Sequence, residues 1–428
     1  MEKYVIVGGN RLSGTVRVSG AKNAVLTILP ACLLSKGVCT IHEVPRLSDV
    51  FVMKEVLECL GAHVEFTGNT MVVNASRIST LEVPEKLTRM MRASNLVMGP
   101  LLSRFKQVKL AYPGGCSIGS RPMDQHLRGM KIMGAKVTEK YGYIEAQVTK
   151  LTGSEIYLDF PSVGATENLM MAAVLADGVT IIRNAAREPE IVDLQNFLNG
   201  MGAKIRGAGT DIIKIQGVRE LGSTEHTIIP DRIEAGTFMV AAAISRGDVC
   251  LENVIPEHIE AVIAKLKEAG VGIEEKGDCV RVFYQGPTRG VDYKTMPYPG
   301  FPTDMQAQIM ALMAISEGTS IVSETIFENR FKHVDELRRM GADIHVESRI
   351  AIVKGVQRLT GAHVEASDLR AGAALVIAGL AAHGATVLEK VYHIDRGYER
   401  FEFKLRGLGA QILRVNGDSK GPHNRKEK

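Results

Sequence analysis

Two hydrophobic rhythms alternate along this chain. In one, apolar side chains recur on a single helical face, as in Ile259 to Leu266 and Val334 to Leu337, with polar residues between them. In the other, small and apolar residues fill the whole stretch: Leu169 to Ala173, Phe238 to Ala243, Ile309 to Ala314 and Ala371 to Ala382. A helix with no polar face is a buried one, and small residues let such helices pack closely. Each of these runs passes through a glycine turn into a strand-like segment such as Val179-Thr180-Ile181-Ile182 or Thr386-Val387-Leu388.

The rhythms share a recurring joint. An apolar residue, Gly, a small residue, any residue, and Val or Ile follow one another six times, as in Leu60-Gly61-Ala62-His63-Val64 and Met340-Gly341-Ala342-Asp343-Ile344. The glycines are Gly61, Gly134, Gly202, Gly270, Gly341 and Gly409, spaced 73, 68, 68, 71 and 68 residues apart. Glycine here ends a helix in the left-handed region, where a residue without a Cβ meets no strain, and a strand follows at once. The predicted repeat is strand, helix, strand, helix, strand, strand.

The sixth copy stops early, reaching Val415 without its closing strands. The first residues supply them, because Tyr4-Val5-Ile6-Val7 and Thr15-Val16-Arg17-Val18 resemble Ile212-Ile213-Lys214-Ile215 before Thr227-Ile228-Ile229. Residues 1–21 are therefore expected to complete the last unit. This predicts an α/β protein with three repeats per domain: residues 22–229 inserted into a discontinuous domain made of 1–21 and 230–428. Two chain crossings between the domains predict a hinged cleft.

Composition narrows the class. The 428 residues, 45% hydrophobic and 23% charged, suffice for two cores. No apolar run approaches the ~18 residues needed to span a bilayer, and the N-terminus lacks the features of a secretory signal. The six cysteines show no C-x-x-C spacing, which excludes zinc and thioredoxin-like readings. Scattered cysteines fit a reducing compartment, so cytoplasm is the expected location. Lys420, Arg425, Lys426 and Lys428 against Glu427 place +3 of the +4 net charge after residue 418, leaving +1 for the rest. A body that neutral makes no case for nucleic acid or membrane. The basic tail from Ser419 is expected to fray. No P-loop, dinucleotide fingerprint or His-based metal spacing occurs, so no metal or cofactor is indicated.

Candidate chemistry lies where one repeat departs from the others. From the apolar strand residue to the joint glycine takes 20 residues from Ile41, 20 from Ile182 and 19 from Leu251, but 24 from Leu110. The extra residues fall in Pro113-Gly114-Gly115-Cys116-Ser117-Ile118-Gly119-Ser120-Arg121-Pro122, a loop by its glycines and prolines. Five of the cysteines read as small buried hydrophobes; Cys116, with no apolar periodicity around it and Arg121 five residues on, reads as reactive. Lys22 and Asn23 open the first small-residue helix, where a lysine can hold phosphate or simply be solvated. Arg92, Arg121, Arg330, Arg370 and Arg396 occupy comparable joints, and the aspartates before two of them, Asp368 and Asp395, leave structural ion pairs open. Asp304 starts a helix, which N-capping alone would explain.

At these residues the sequence resembles the UDP-N-acetylglucosamine enolpyruvyl transferase family over nearly its whole length. The matching strings are Gly20-Ala21-Lys22-Asn23-Ala24, Met91-Arg92-Ala93-Ser94, Pro113-Gly114-Gly115-Cys116 and Arg121-Pro122-Met123-Asp124. Further ones are Ser162-Val163-Gly164-Ala165-Thr166, Phe301-Pro302-Thr303-Asp304-Met305-Gln306, Glu324-Thr325-Ile326-Phe327-Glu328-Asn329-Arg330, Asp368-Leu369-Arg370 and Asp395-Arg396-Gly397. The resemblance implies two inside-out α/β barrels and transfer of the enolpyruvyl group of phosphoenolpyruvate to UDP-N-acetylglucosamine, without metal or cofactor. It implies that Cys116 protonates the methylene carbon and Asp304 takes the proton of the sugar 3′-hydroxyl. Lys22, Arg121 and Arg396 would neutralise phosphate and carboxylate. Asn23, Arg92, Pro122, Met123, Asp124, Gln125, Ile326, Arg330 and Arg370 would complete the substrate sites. Phe160-Pro161 and Ser48 depart from one common form of the family, which places uridine-diphosphate contacts there in question, with Arg46 as a possible substitute. The rival within the same fold is a 5-enolpyruvylshikimate-3-phosphate synthase, against which the inserted cysteine loop argues. A noncatalytic or RNA-handling protein built on the same repeat is a more distant alternative.

Overall fold

All six joint glycines adopt positive φ, between 91° and 107°. At each, the residue after the glycine donates its N–H to a carbonyl five residues back: Ala62 to Leu57, Ala135 to Met130, Ala203 to Leu198, Val271 to Leu266, Ala342 to Leu337 and Ala410 to Leu405, all at 3.0–3.1 Å. This is the Schellman closure, which satisfies carbonyls that a helix end leaves open and turns the chain straight into a strand. The architecture grows from these six identical corners. The structure, a computed structural model, describes residues 2–113, 118–119 and 122–416.

Two compact units emerge. The inserted unit comprises Ser19–Asp231 with Met296–Gly300; the discontinuous unit comprises the described parts of Met1–Val18, Arg232–Thr295 and Phe301–Lys428. Among the described residues, each unit holds three four-stranded sheets of one design. Strand Glu155–Tyr157 runs parallel to Val179–Arg183, which pairs antiparallel with Ile212–Gln216, which pairs antiparallel with Lys204–Arg206. The parallel edge closes a strand–helix–strand crossover, and the antiparallel pair is a hairpin, so one repeat makes one sheet.

The N-terminal strands divide their roles. Lys3–Val7 pairs antiparallel with both Ala385–Glu389 and Gln411–Val415, with Val5 opposite Val387 and Leu413, and so completes the sixth sheet. Ser13–Arg17 does not join that sheet, contrary to the expectation that residues 1–21 finish the last unit. It runs parallel to Asp248–Glu252 in the fourth. Thr224–Thr227 stands in the same relation to Val38–His42 in the first.

Burial explains the layering. Strand Ile212–Gln216 alternates exposed and buried positions, with Ile213 and Ile215 inward, as a sheet with one wet face must. Helices Lys22–Ala31, Val163–Ala173, Arg232–Ile244, Gln306–Met313 and Leu369–Ala381 are buried at nearly every position. Helices lie inside and sheets outside, the inverse of the usual α/β barrel. Close approach demands the small residues: a Cβ on Gly99 would stand 2.3 Å from the carbonyl oxygen of Asn168. The second helices of the repeats, such as Glu260–Glu268 and His333–Arg339, bury one face only.

Candidate active site

In the discontinuous unit, the starts of the small-residue helices carry the charged candidates. Asp304 lies in the short turn Thr303–Met305 that leads into helix Gln306–Met313. Its carboxylate caps nothing, which corrects the N-cap reading: no side chain caps that turn or that helix. Instead Oδ1 accepts from Arg330 Nη2 at 2.8 Å, and Oδ2 accepts from Arg370 Nε and Nη2 at 3.2 and 3.0 Å. The two arginine side chains are only 4% and 5% exposed, while that of Asp304 is 29% exposed. The one carboxylate is thus the wet tip of a buried ionic cluster.

Electrostatics there run strongly one way. Burial pushes the Asp304 carboxyl up, but the charges of Arg370 and Arg330, the Arg370 hydrogen bond and the charge of Arg232 together outweigh it. The carboxyl is held well below the usual carboxylate range and is ionised at neutral pH. Arg370 is set in place by Asp368, whose Oδ1 accepts from the backbone N–H groups of Arg370 and Ala371 at 2.9 and 3.1 Å. The Asp368 carboxylate is a helix cap, and the Arg370 guanidinium goes to Asp304. Behind Arg330, His333 is buried; loss of water pushes it down to about 4, Asp368 opposing and Arg330 adding to the shift. It is neutral at pH 7 and adds no charge.

Arg396 ends the short helix Val391–Arg396. Its neighbour Asp395 is held by Arg414, which also reaches the Tyr4 hydroxyl at 2.8 Å and Glu402 at 3.1 Å. Arg414 stands on the last strand, so the Arg396 segment is tied to the sheet that the N-terminus completes. Ile326 follows strand Thr319–Ser323, with its N–H on Glu324 Oε1 at 2.9 Å.

In the inserted unit, helix Lys22–Ala31 begins at Lys22, whose backbone N–H donates to Asp231 Oδ2 at 3.1 Å. Lys22 Nζ pairs with Asp49 Oδ2 at 2.8 Å, both side chains buried. Asn23 is exposed beside it. Arg92 opens the turn Arg92–Val97. Asn95 of that turn donates to Met123 Sδ at 2.9 Å, so the Arg92 turn is tied to Pro122-Met123, just ahead of helix Asp124–Ile132. Pro122 and Asp124 are exposed; Gln125 accepts from the backbone N–H of Phe160 at 3.4 Å. That contact brings exposed Phe160 to the start of the same helix. Arg46 donates to the Gly68 carbonyl at 3.0 Å, and its guanidinium lies 4.6 and 5.3 Å from the rings of Phe66 and Phe51. Cys116 and Arg121 lie outside the described residues.

Three contributors escaped the sequence reading. Asp49 and Arg232 are single charges among many, and Glu324 belongs to a matching string without a role of its own. Each acts through a partner distant in sequence, and no local pattern marks such pairs. Among the described residues, no group of three or more His, Cys, Asp or Glu side chains could hold a metal ion.

A sequence profile described as EPSP synthase (3-phosphoshikimate 1-carboxyvinyltransferase) matches residues 6–405, and the chain belongs to that family. Within it, the chain is 61% identical over 420 residues to UDP-N-acetylglucosamine 1-carboxyvinyltransferase 1 of Carboxydothermus hydrogenoformans, covering 98% of this chain and 100% of the relative. Among solved structures it is similar to the enolpyruvyl transferase NikO from Streptomyces tendae, with a TM-score of 0.88 at 26% identity over 97% of this chain and 99% of that one. EPSP synthase from Acinetobacter baumannii shares the fold, with a TM-score of 0.76 at 19% identity over 97% of this chain and 100% of that one.

Proposed function

We propose that this chain transfers the enolpyruvyl group of phosphoenolpyruvate to the 3′-hydroxyl of UDP-N-acetylglucosamine, releasing phosphate. The observation that carries this is full-length identity of 61% to a protein named for that transfer, against 19% to an EPSP synthase. The reaction opens peptidoglycan synthesis, and its substrates are metabolites of the cytoplasm. A cytoplasmic location also fits the free thiols of Cys32 and Cys39, which are buried, and of Cys59, Cys250 and Cys279, which are exposed or half-buried, contrary to their reading as buried hydrophobes. The near-neutral body favours small-molecule partners over nucleic acid.

Addition comes first: the sugar 3′-oxygen bonds to C2 of phosphoenolpyruvate while C3 gains a proton, giving a tetrahedral ketal. Elimination follows: the C2–O bond to phosphate breaks, C3 gives up a proton, and the double bond returns. Asp304 is the base for the hydroxyl. Held by two arginines it is ionised but weakly basic; an arriving anion that shares those arginines draws their charge away and restores its basicity. Basicity thus rises when substrate is in place. Cys116 is the acid toward C3, a thiol with an ordinary pKa of about 8.5 being mostly protonated at neutral pH. Lys22, Arg121 and Arg396 neutralise the phosphate and carboxylate, which suits a highly charged leaving group. Asn23, Arg92, Pro122, Met123, Asp124, Gln125, Ile326, Arg330 and Arg370 bind and orient the substrates.

Phosphate release with both substrates, with each omitted in turn, and with shikimate 3-phosphate replacing the nucleotide sugar tests the proposal. Release only with phosphoenolpyruvate and UDP-N-acetylglucosamine together is expected. Release with shikimate 3-phosphate alone as acceptor would select the rival reading.

A further inference from the structure

Glu324 is 1% exposed. A carboxylate removed from water needs its lone pairs filled by donors, and here four neutral groups do so. Oε1 accepts from the Thr295 hydroxyl at 2.9 Å and from the backbone N–H groups of Ile326 and Phe327 at 2.9 and 3.1 Å. Oε2 accepts from the Thr303 hydroxyl at 2.9 Å. These donors come from separate segments of one unit. Thr303 precedes Asp304 in the same short turn, and Ile326 and Phe327 begin the run that ends at Arg330, whose guanidinium grips Asp304. Glu324 itself is anchored to its sheet through its backbone N–H, which donates to the Arg349 carbonyl at 2.9 Å.

The repeat marks this position as a departure. Residues directly after the equivalent strand of four other repeats, Glu43, Asn184, Asn253 and Lys390, adopt left-handed φ of 54° to 58°. Glu324 does not share that conformation. In place of the left-handed corner the chain here has an inward acid that ties two neighbouring segments together.

We propose that Glu324 is a positioning residue for the transfer reaction, fixing the turn that bears Asp304 against the run that bears Ile326 and Arg330. This rests on the assignment of Asp304 as base. Because Asp304, Arg330 and Glu324 form a closed circuit through Thr303 and the 326–330 run, loosening one link lets base and arginine drift apart.

Two variants separate positioning from mere stability. Thr303→Val and Thr295→Val each deprive the same buried carboxylate of one hydroxyl donor; Thr295→Val also removes the acceptor of the Thr325 N–H, so it should destabilise the protein at least as much. Only Thr303→Val cuts the link to Asp304. It is expected to lower kcat/KM by about tenfold or more beyond the Thr295→Val loss, since small misplacements of reacting groups cost that much or more. The acidic limb of its pH profile should also move upward, as Asp304 slips from Arg330 and its carboxyl rises. Glu324→Gln keeps one oxygen for three donors, and the Thr303 hydroxyl can turn to accept from the new amide; it should retain more activity than Glu324→Ala. Amide exchange is read in parallel, and peptides covering 303–305 and 326–330 should exchange faster together in Thr303→Val. Equal kcat/KM for the two threonine variants with an unmoved acidic limb would overturn the proposal, as would unchanged exchange in both peptides. If the wild-type protein turned over neither substrate, the transfer reading would fall, and the exchange result would still decide for or against Glu324.

Discussion

Replacing Asp304 by asparagine removes one negative charge from between two buried arginines while preserving shape. Three hydrogen bonds now join that carboxylate to Arg330 and Arg370. The amide oxygen can keep only the part facing one arginine, and its NH2 opposes the other. Removing one partner of a buried ion pair costs about 3–5 kcal/mol; the 29% exposure of Asp304, which lets water reach the gap, places the cost near the lower end, about 3 kcal/mol. At roughly 2–4 °C per kcal/mol for a unit of this size, the melting temperature should fall by about 6–12 °C. Added phosphate, which can take up the released arginine charge, should return part of it. Turnover should fall by about 10²–10⁴, the usual contribution of a general base. Melting curves with and without phosphate, together with phosphate-release kinetics at a temperature where the variant is folded, measure both. A variant that melts early but keeps wild-type specific activity would make Asp304 purely structural. A variant with unchanged melting would refute the ionic cluster itself.

Three further outcomes follow from other parts of the molecule. His333 has a folded pKa lowered to about 4 against an unfolded value of 6.5, so the unfolded chain binds protons first as pH falls. Stability should drop between pH 6.5 and 4 by roughly 3 kcal/mol from this group, and His333→Gln should flatten that slope in urea titrations; parallel slopes would contradict the assignment. Gly202 has φ of +104° with open space where a Cβ would go, so Gly202→Ala should cost about 1 kcal/mol from backbone strain alone and leave turnover unchanged. Gly61→Ala should cost more, because its Cβ would stand 2.6 Å from Ser79 Oγ; denaturant midpoints rank the two, and a reversed order would refute the packing argument. Finally, an epoxide phosphonate resembling phosphoenolpyruvate should alkylate Cys116 alone, faster with UDP-N-acetylglucosamine present. Peptide mass spectrometry reads this, and equal labelling of exposed Cys59 would remove Cys116 from the mechanism.

The fold was legible because its rule is local. A glycine that must turn left-handed, the helix before it and the strand after it lie within a dozen residues, and the six copies announce one another by spacing. Burial of Leu169 to Ala173 and of nearly all of Ala371 to Ala382 was legible for the same reason, since a helix without polar residues has no wet face to offer. Ser13–Arg17 was misplaced because strand pairing is long-range: its sequence resembles a closing strand, while its partner Asp248–Glu252 is set by the closure of a different sheet. The candidate site was readable as residue types at repeat joints but not as a geometry. Asp304 looked like a helix cap because the sequence shows only its helix; Arg330 and Arg370, 26 and 66 positions away, decide its state. Glu324 was invisible because an acid satisfied by threonines and backbone leaves no charge partner to notice.

Enolpyruvyl transfer by addition and elimination can be followed by running the reaction in deuterium oxide with phosphoenolpyruvate and UDP-N-acetylglucosamine, with proton NMR and mass spectrometry as the readout. Addition followed by elimination predicts a nucleotide sugar bearing a vinyl group, one phosphate released per product, and deuterium in the vinyl methylene, because C3 gains a solvent deuteron in the ketal and then loses one of three hydrogens. Phosphate released without a modified sugar, or a vinyl product formed only from shikimate 3-phosphate, would rule out this transfer.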